Sequence, residues 1–100
     1  MMDNEAWQLR WGQDTVGVLT LEGVDMFWTD CRFEPSTAWP DLKPFIDASR
    51  AAWDGTDMDA AIAADEATYA LGLELVPEGG GEIITSFLLR IDGDTARFRW

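Results

Sequence analysis

One hundred residues fit a single domain, residues 1–100, with one core, and a hydrophobic share of 47% with six tryptophans excludes a disordered chain. A formal net charge of −12 excludes ordinary nucleic-acid binding, which places Lys and Arg on phosphates, and disfavours an anionic membrane surface; it suits a basic protein partner. The absence of histidine removes the commonest general base and metal ligand, and a single cysteine, Cys31, precludes an internal disulfide.

Trp7 to Leu21 predicts a first β-hairpin. Trp7, Leu9 and Trp11 share one strand face, Val16 and Val18 share a face of the next strand, and either Gly12-Gln13 or Gln13-Asp14 forms the turn. Glu22 to Asp25 is a short connection. Met26 to Phe33 is a third strand, with Phe27, Cys31 and Phe33 on one side and Trp28, Asp30 and Arg32 on the other. Pro35 and Pro40 bound a loop, because neither can donate a ladder hydrogen bond.

Asp41 caps a first helix whose Pro44 falls in the first turn, and Leu42, Phe45, Ile46, Ser49, Ala52 and Trp53 form its apolar face up to a stop at Gly55. Thr56, with Asp59 three residues on, opens an Ala-rich second helix by a variant capping box. Met58, Ile62 and Tyr69 mark its buried face, with Ala61 and Ala64 or Asp65 near the edge, and Gly72 stops it. Leu73 to Val76 alternates as a strand, Pro77 ends it, and Glu78 to Gly81 is a loop.

Glu82 to Trp100 is the clearest β-hairpin, with Asp92-Gly93 as a two-residue turn between alternating runs. That register opposes Ile91 to Asp94, Leu89 to Ala96, Phe87 to Phe98 and Thr85 to Trp100 on an apolar face. Ile84, Ser86, Leu88 and Arg90 then oppose Thr95, Arg97 and Arg99 on the other. The order is βββααβββ: an α+β domain with an antiparallel sheet of about six strands, drawn as two β-meanders, and two helices packed on one face.

Arg32-Phe33-Glu34-Pro35, followed by Phe87-Leu88-Leu89 and Ile91-Asp92-Gly93-Asp94, resembles a family of small acidic proteins from high-GC bacteria that has no assigned activity. The resemblance spans most of the chain. It implies a self-contained bacterial domain and transfers no functional residue.

The residues also bound the chemistry. One Cys without His does not make a zinc site, and Asp54, Asp57 and Asp59 miss EF-hand spacing because Gly55 follows Asp54 directly. No metal and no cofactor is expected. Gly79-Gly80-Gly81 lacks the Lys-Ser/Thr of a phosphate loop and leads into a strand. With nothing to select one acidic pair, a carboxylate-only hydrolase is disfavoured and the protein is read as a non-enzyme.

Two charged features remain. Residues 51–89 carry eight acids and no Lys or Arg. Among these, Asp54, Asp57, Asp59 and Glu66 are the candidate partner-binding residues, against the plainer reading of helix-capping and solvated acids. Arg90, Arg97 and Arg99 cluster on one hairpin face, either paired with acids such as Asp30 or contacting an anion or partner. The expected function is a small acidic interaction protein that binds and inhibits or neutralises a basic partner, of the immunity, antitoxin, anti-defence or nucleic-acid-mimic type. It is expected in the cytoplasm, as a monomer or weak homodimer, away from membranes. The alternative is a small-molecule module whose pocket between helices and sheet is lined by Trp28, Trp39 or Trp53.

Overall fold

A computed structural model describes residues 5–99. Its order is β1 (Ala6–Trp11), β2 (Asp14–Asp25), β3 (Trp28–Pro35), α1 (Trp39–Asp54), α2 (Met58–Ala70), β4 (Leu73–Pro77), β5 (Leu88–Asp92) and β6 (Thr95–Arg99). This is the α+β arrangement expected, βββααβββ, with one six-stranded antiparallel sheet ordered β4-β1-β2-β3-β6-β5. β1, β2 and β3 form a meander. The later strands divide, with β4 beside β1 and the β5–β6 hairpin beside β3.

The sheet curls into a half-barrel. After β4 the chain turns back along that strand's outer edge, where Leu75 and Ile84 exchange backbone hydrogen bonds of 2.9 and 3.0 Å, and then crosses to become β5 on the opposite edge. The curl brings Trp7 of β1 within 5.0 Å of Phe98 of β6, ring centre to ring centre and edge-on, although two strands lie between them. Leu42 and Ile46 of α1 enter this core, and Trp39 stacks edge-on to Phe33. α2 packs on α1, with Ala61 its buried residue. Among the described residues no helix is long and apolar enough to cross a membrane.

Two β-bulges explain where the strand alternation departs from a simple period of two. Leu9 pairs with Gly17 but Arg10 pairs with Thr15, so Val16 is the extra residue and the core face shifts to Val16 and Leu19, leaving Val18 half-buried. A second bulge at Glu22 lets β2 continue through Glu22–Asp25, the stretch expected to be a connection. The turn into β3 is Met26-Phe27, with Met26 at φ +57, so Phe27 sits exposed at a hairpin tip while Thr29, Cys31 and Phe33 face the core.

The turns follow glycine. Gly12-Gln13 is the first loop, and Gly12 takes a φ of +63. In the last hairpin Gly93-Asp94 is the loop, because Gly93 at φ +63 serves as the first central residue. Relative to an Asp92-Gly93 turn, one strand slides by two residues. Ile91 now opposes Ala96 and Leu89 opposes Phe98, yet every side chain keeps its face. Trp100, expected in this core, lies outside the described residues.

Helix starts also move. α1 begins at Trp39, with Ala38 as a cap that offers no side chain, and Asp41 lies inside the first turn. The α2 cap is Asp57, not Thr56; its carboxylate accepts from the backbone N–H of Asp59 and Ala60 at 3.0 and 3.2 Å.

Gly17 is where the sheet and core meet most tightly, since a Cβ there would lie 2.4 Å from the Phe33 ring. Gly17→Ala is therefore expected to destabilise by roughly 1–3 kcal/mol through overpacking. Gly23→Ala, with nothing within 4 Å, should change stability by less than about 0.5 kcal/mol. Urea unfolding of the two variants checks this, and equal losses would contradict the packing described.

Candidate functional site

The α1–α2 corner gathers the acids singled out above. Asp54 ends α1, Asp57 caps α2, Asp59 follows in its first turn and Glu66 lies two helical turns further on. All four are exposed, and none forms an ion pair among the described residues. Asp57 also satisfies the free N–H groups of the helix N-terminus, and Asp59 lies in the first turn, where the helix dipole favours negative charge. The cations that do pair are engaged elsewhere: Lys43 with Asp47, Arg50 with Asp47 and Asp92, Arg90 with Asp65, and Arg97 with Asp25 and Asp30. The corner's negative charge is thus left uncompensated among the described residues.

α2 faces differently from the expectation. Ala61 is buried and Ala64, Asp65 and Thr68 are half-buried, while Met58, Ile62 and Tyr69 are 59%, 47% and 45% exposed. The cause is Asp65. Its carboxylate accepts from Arg90 at 3.2 and 3.4 Å and from the Ser49 hydroxyl at 3.1 Å, which ties α2 to both β5 and α1. With Asp65 turned inward, small residues meet α1 and the larger apolar ones are left outside. Trp53, the end of the expected α1 face, is also partly exposed, as is Phe45 against Trp11.

Arg90, Arg97 and Arg99 are brought together as expected, but as the charged layer of an aromatic stack. Arg90 lies over Trp53 at 5.1 Å and Trp28 at 5.9 Å, Arg97 over Trp28 at 5.1 Å, and Arg99 over Phe27 and Trp28 at 5.4 and 5.9 Å. Arg97 donates from Nε to Asp30 at 2.9 Å, and that hydrogen bond holds its pKa above the ordinary value. Among the described residues Arg99 has no carboxylate partner. The space between Trp28 and Trp53 is filled by the Arg90 guanidinium, and Trp39 packs against the core, so these tryptophans do not line a shared pocket. A cavity of about 240 Å³ does lie nearby, bounded by Arg50, Arg90 and Arg97 together with Asp30 and Asp92. Its cations are already engaged by those acids and their neighbours.

Cys31 is buried, and burial, reinforced by Asp30 and Glu22, pushes its thiol up to about 12, so it stays protonated at neutral pH. Among the described residues no three Asp, Glu or Cys side chains converge as a metal site would require. Sequence reasoning missed the outward apolar stripe of α2 and the exposed Val24, Met26 and Phe27 at the β2–β3 tip. The readable signal for the first was Ala61, Ala64 and Thr68 at helical spacing, a small-residue face suited to close helix contact. No family model, curated protein or solved structure matches the chain.

The two kinds of arginine pair differ in burial, and this yields a direct comparison. Arg90 and Asp65 side chains are 18% and 12% exposed, whereas those of Arg50 and Asp92 are 38% and 76% exposed. Arg90→Ala is expected to cost about 3 kcal/mol because it strands Asp65, and Arg50→Ala less than about 1 kcal/mol. Denaturant midpoints measure both, and similar losses would show that the Asp65 tie does not hold α2.

Proposed function

We propose that this chain is a small acidic interaction protein that binds a basic partner protein through the α1–α2 corner and so inhibits or neutralises it. The observation that supports this reading is the set of exposed carboxylates at Asp54, Asp57, Asp59 and Glu66, uncompensated by any cation among the described residues. Such a surface steers a basic protein into encounter and sets the on-rate more than the lifetime of the complex. The same carboxylates stand where phosphates would on nucleic acid, which suits a mimic or an immunity, antitoxin or anti-defence role. The protein works in the cytoplasm in this reading, where a lone buried thiol stays reduced. A pocket lined by Trp28, Trp39 or Trp53 is the less favoured alternative, since Arg90 occupies the space between two of them.

The test begins with capture from the native host at low and high salt, followed by kinetics on the captured basic protein. Asp59→Lys with Glu66→Lys should slow association about tenfold or more and flatten its salt dependence. The melting temperature should fall only slightly, because exposed charges contribute little to stability. An unchanged association rate and salt slope in a folded double variant would refute the reading.

A further inference from the structure

We propose that the outward stripe of α2, Met58, Ile62 and Tyr69, seats a basic amphipathic helix of the partner. The inference rests on the reading above that the partner is basic, and it adds what shape of partner segment the surface takes. From Met58 to Tyr69 the stripe runs roughly 16 Å, three helical turns at 1.5 Å per residue. Its side chains stand about half out of the protein, and among the described residues none of the three joins the hydrophobic core or packs against it.

The surroundings select the occupant. Asp59 and Glu66 line the solvent-side margin of the stripe, since each lies within a quarter turn of Ile62 on the helix, and Asp54 and Asp57 close its N-terminal end. No Lys or Arg occurs between residues 51 and 89. A second copy using the same face would set these acids against themselves, because a two-fold contact joins identical patches. An anionic bilayer meets the same repulsion. An apolar segment with basic flanks is complementary to both parts of the surface. A helix is the form such a segment takes here: α2 offers no strand edge, and an extended peptide buried on a helix face would leave its backbone N–H and C=O groups unpaired. A partner helix satisfies its own backbone and presents apolar side chains at i, i+3, i+4 and i+7.

Three synthetic peptides of about 18 residues, five helical turns, test this without knowledge of the partner. One carries Leu at i, i+3, i+4 and i+7 with Lys elsewhere, the second has the same composition with the leucines dispersed, and the third replaces Lys by Glu in the first pattern. Calorimetric titration of the intact chain should show the first peptide binding at least tenfold more tightly than the other two. The peptide should gain helical circular dichroism on binding. Ile62→Asp, a change at an exposed position, should weaken the first peptide at least tenfold and leave the melting curve in place. Equal binding of the dispersed peptide, or an Ile62→Asp variant that binds like the unaltered chain, overturns the inference; if Asp59→Lys with Glu66→Lys still abolishes that binding, the acidic-surface reading survives alone. Equal binding of the Glu peptide overturns the basic-partner reading, and the inference falls with it. A dimer in sedimentation that Ile62→Asp dissociates assigns the stripe to a second copy and also overturns it.

Discussion

Asp65 accepts hydrogen bonds from two elements at once, the Ser49 hydroxyl of α1 and the forked guanidinium of Arg90 on β5. Arg90 is in turn held between the Trp28 and Trp53 rings. This mostly buried cluster fixes the rotation of α2 about its own axis. Turning the helix to bury Met58, Ile62 and Tyr69 would hide the exposed halves of three side chains, a gain of roughly 1 kcal/mol each. It would also separate Asp65 from Arg90 and strand a desolvated charge, at about 3–5 kcal/mol, and would wedge large side chains into the close contact that Ala61 permits. The polar tie outweighs the apolar stripe, and the stripe is what the protein shows to solvent.

The legible parts of the sequence were those governed by local rules. Element order, both helices, the glycine stop at Gly72 and the apolar faces of β5 and β6 follow from periodicity and turn chemistry, and all appear. The misread parts depended on partners far along the chain. The bulge at Val16 accompanies the close approach of Gly17 to the Phe33 ring, a contact between strands that sequence spacing does not reveal. Hydrophobicity alone points Met58, Ile62 and Tyr69 of α2 inward, but Arg90, twenty-five residues beyond Asp65, decides the face. The candidate acids are legible in the sequence as a charge imbalance, but that they lack a cation partner among the described residues depends on where the fold sends Lys43, Arg50, Arg90 and Arg97.

Charge is therefore distributed by the fold and not only by composition. Among the described residues Lys43, Arg50, Arg90 and Arg97 sit in ion pairs, the three arginines on or beside the β5–β6 side of the sheet. The paired and stacked arginines gather around Trp28 on that side, whereas residues 51–89, which hold the helical corner, carry acids and no Lys or Arg. A surface with apolar side chains and one sign of charge, on a helix tied down by a buried pair, is pre-organised for an oppositely charged apolar segment.

The orientation of α2 is the claim on which this account turns, and thiol labelling measures it directly. In a Cys31→Ala background, Ile62→Cys and Ala61→Cys are neighbours in sequence on opposite sides of the proposed boundary. The account predicts that the thiol at position 62 reacts with a small disulfide reagent within a few-fold of its rate in the unfolded chain, whereas the thiol at position 61 is protected at least about a hundredfold in folded protein. Protection at 62 with rapid labelling at 61 would mean that the apolar stripe faces inward, and the account would be wrong.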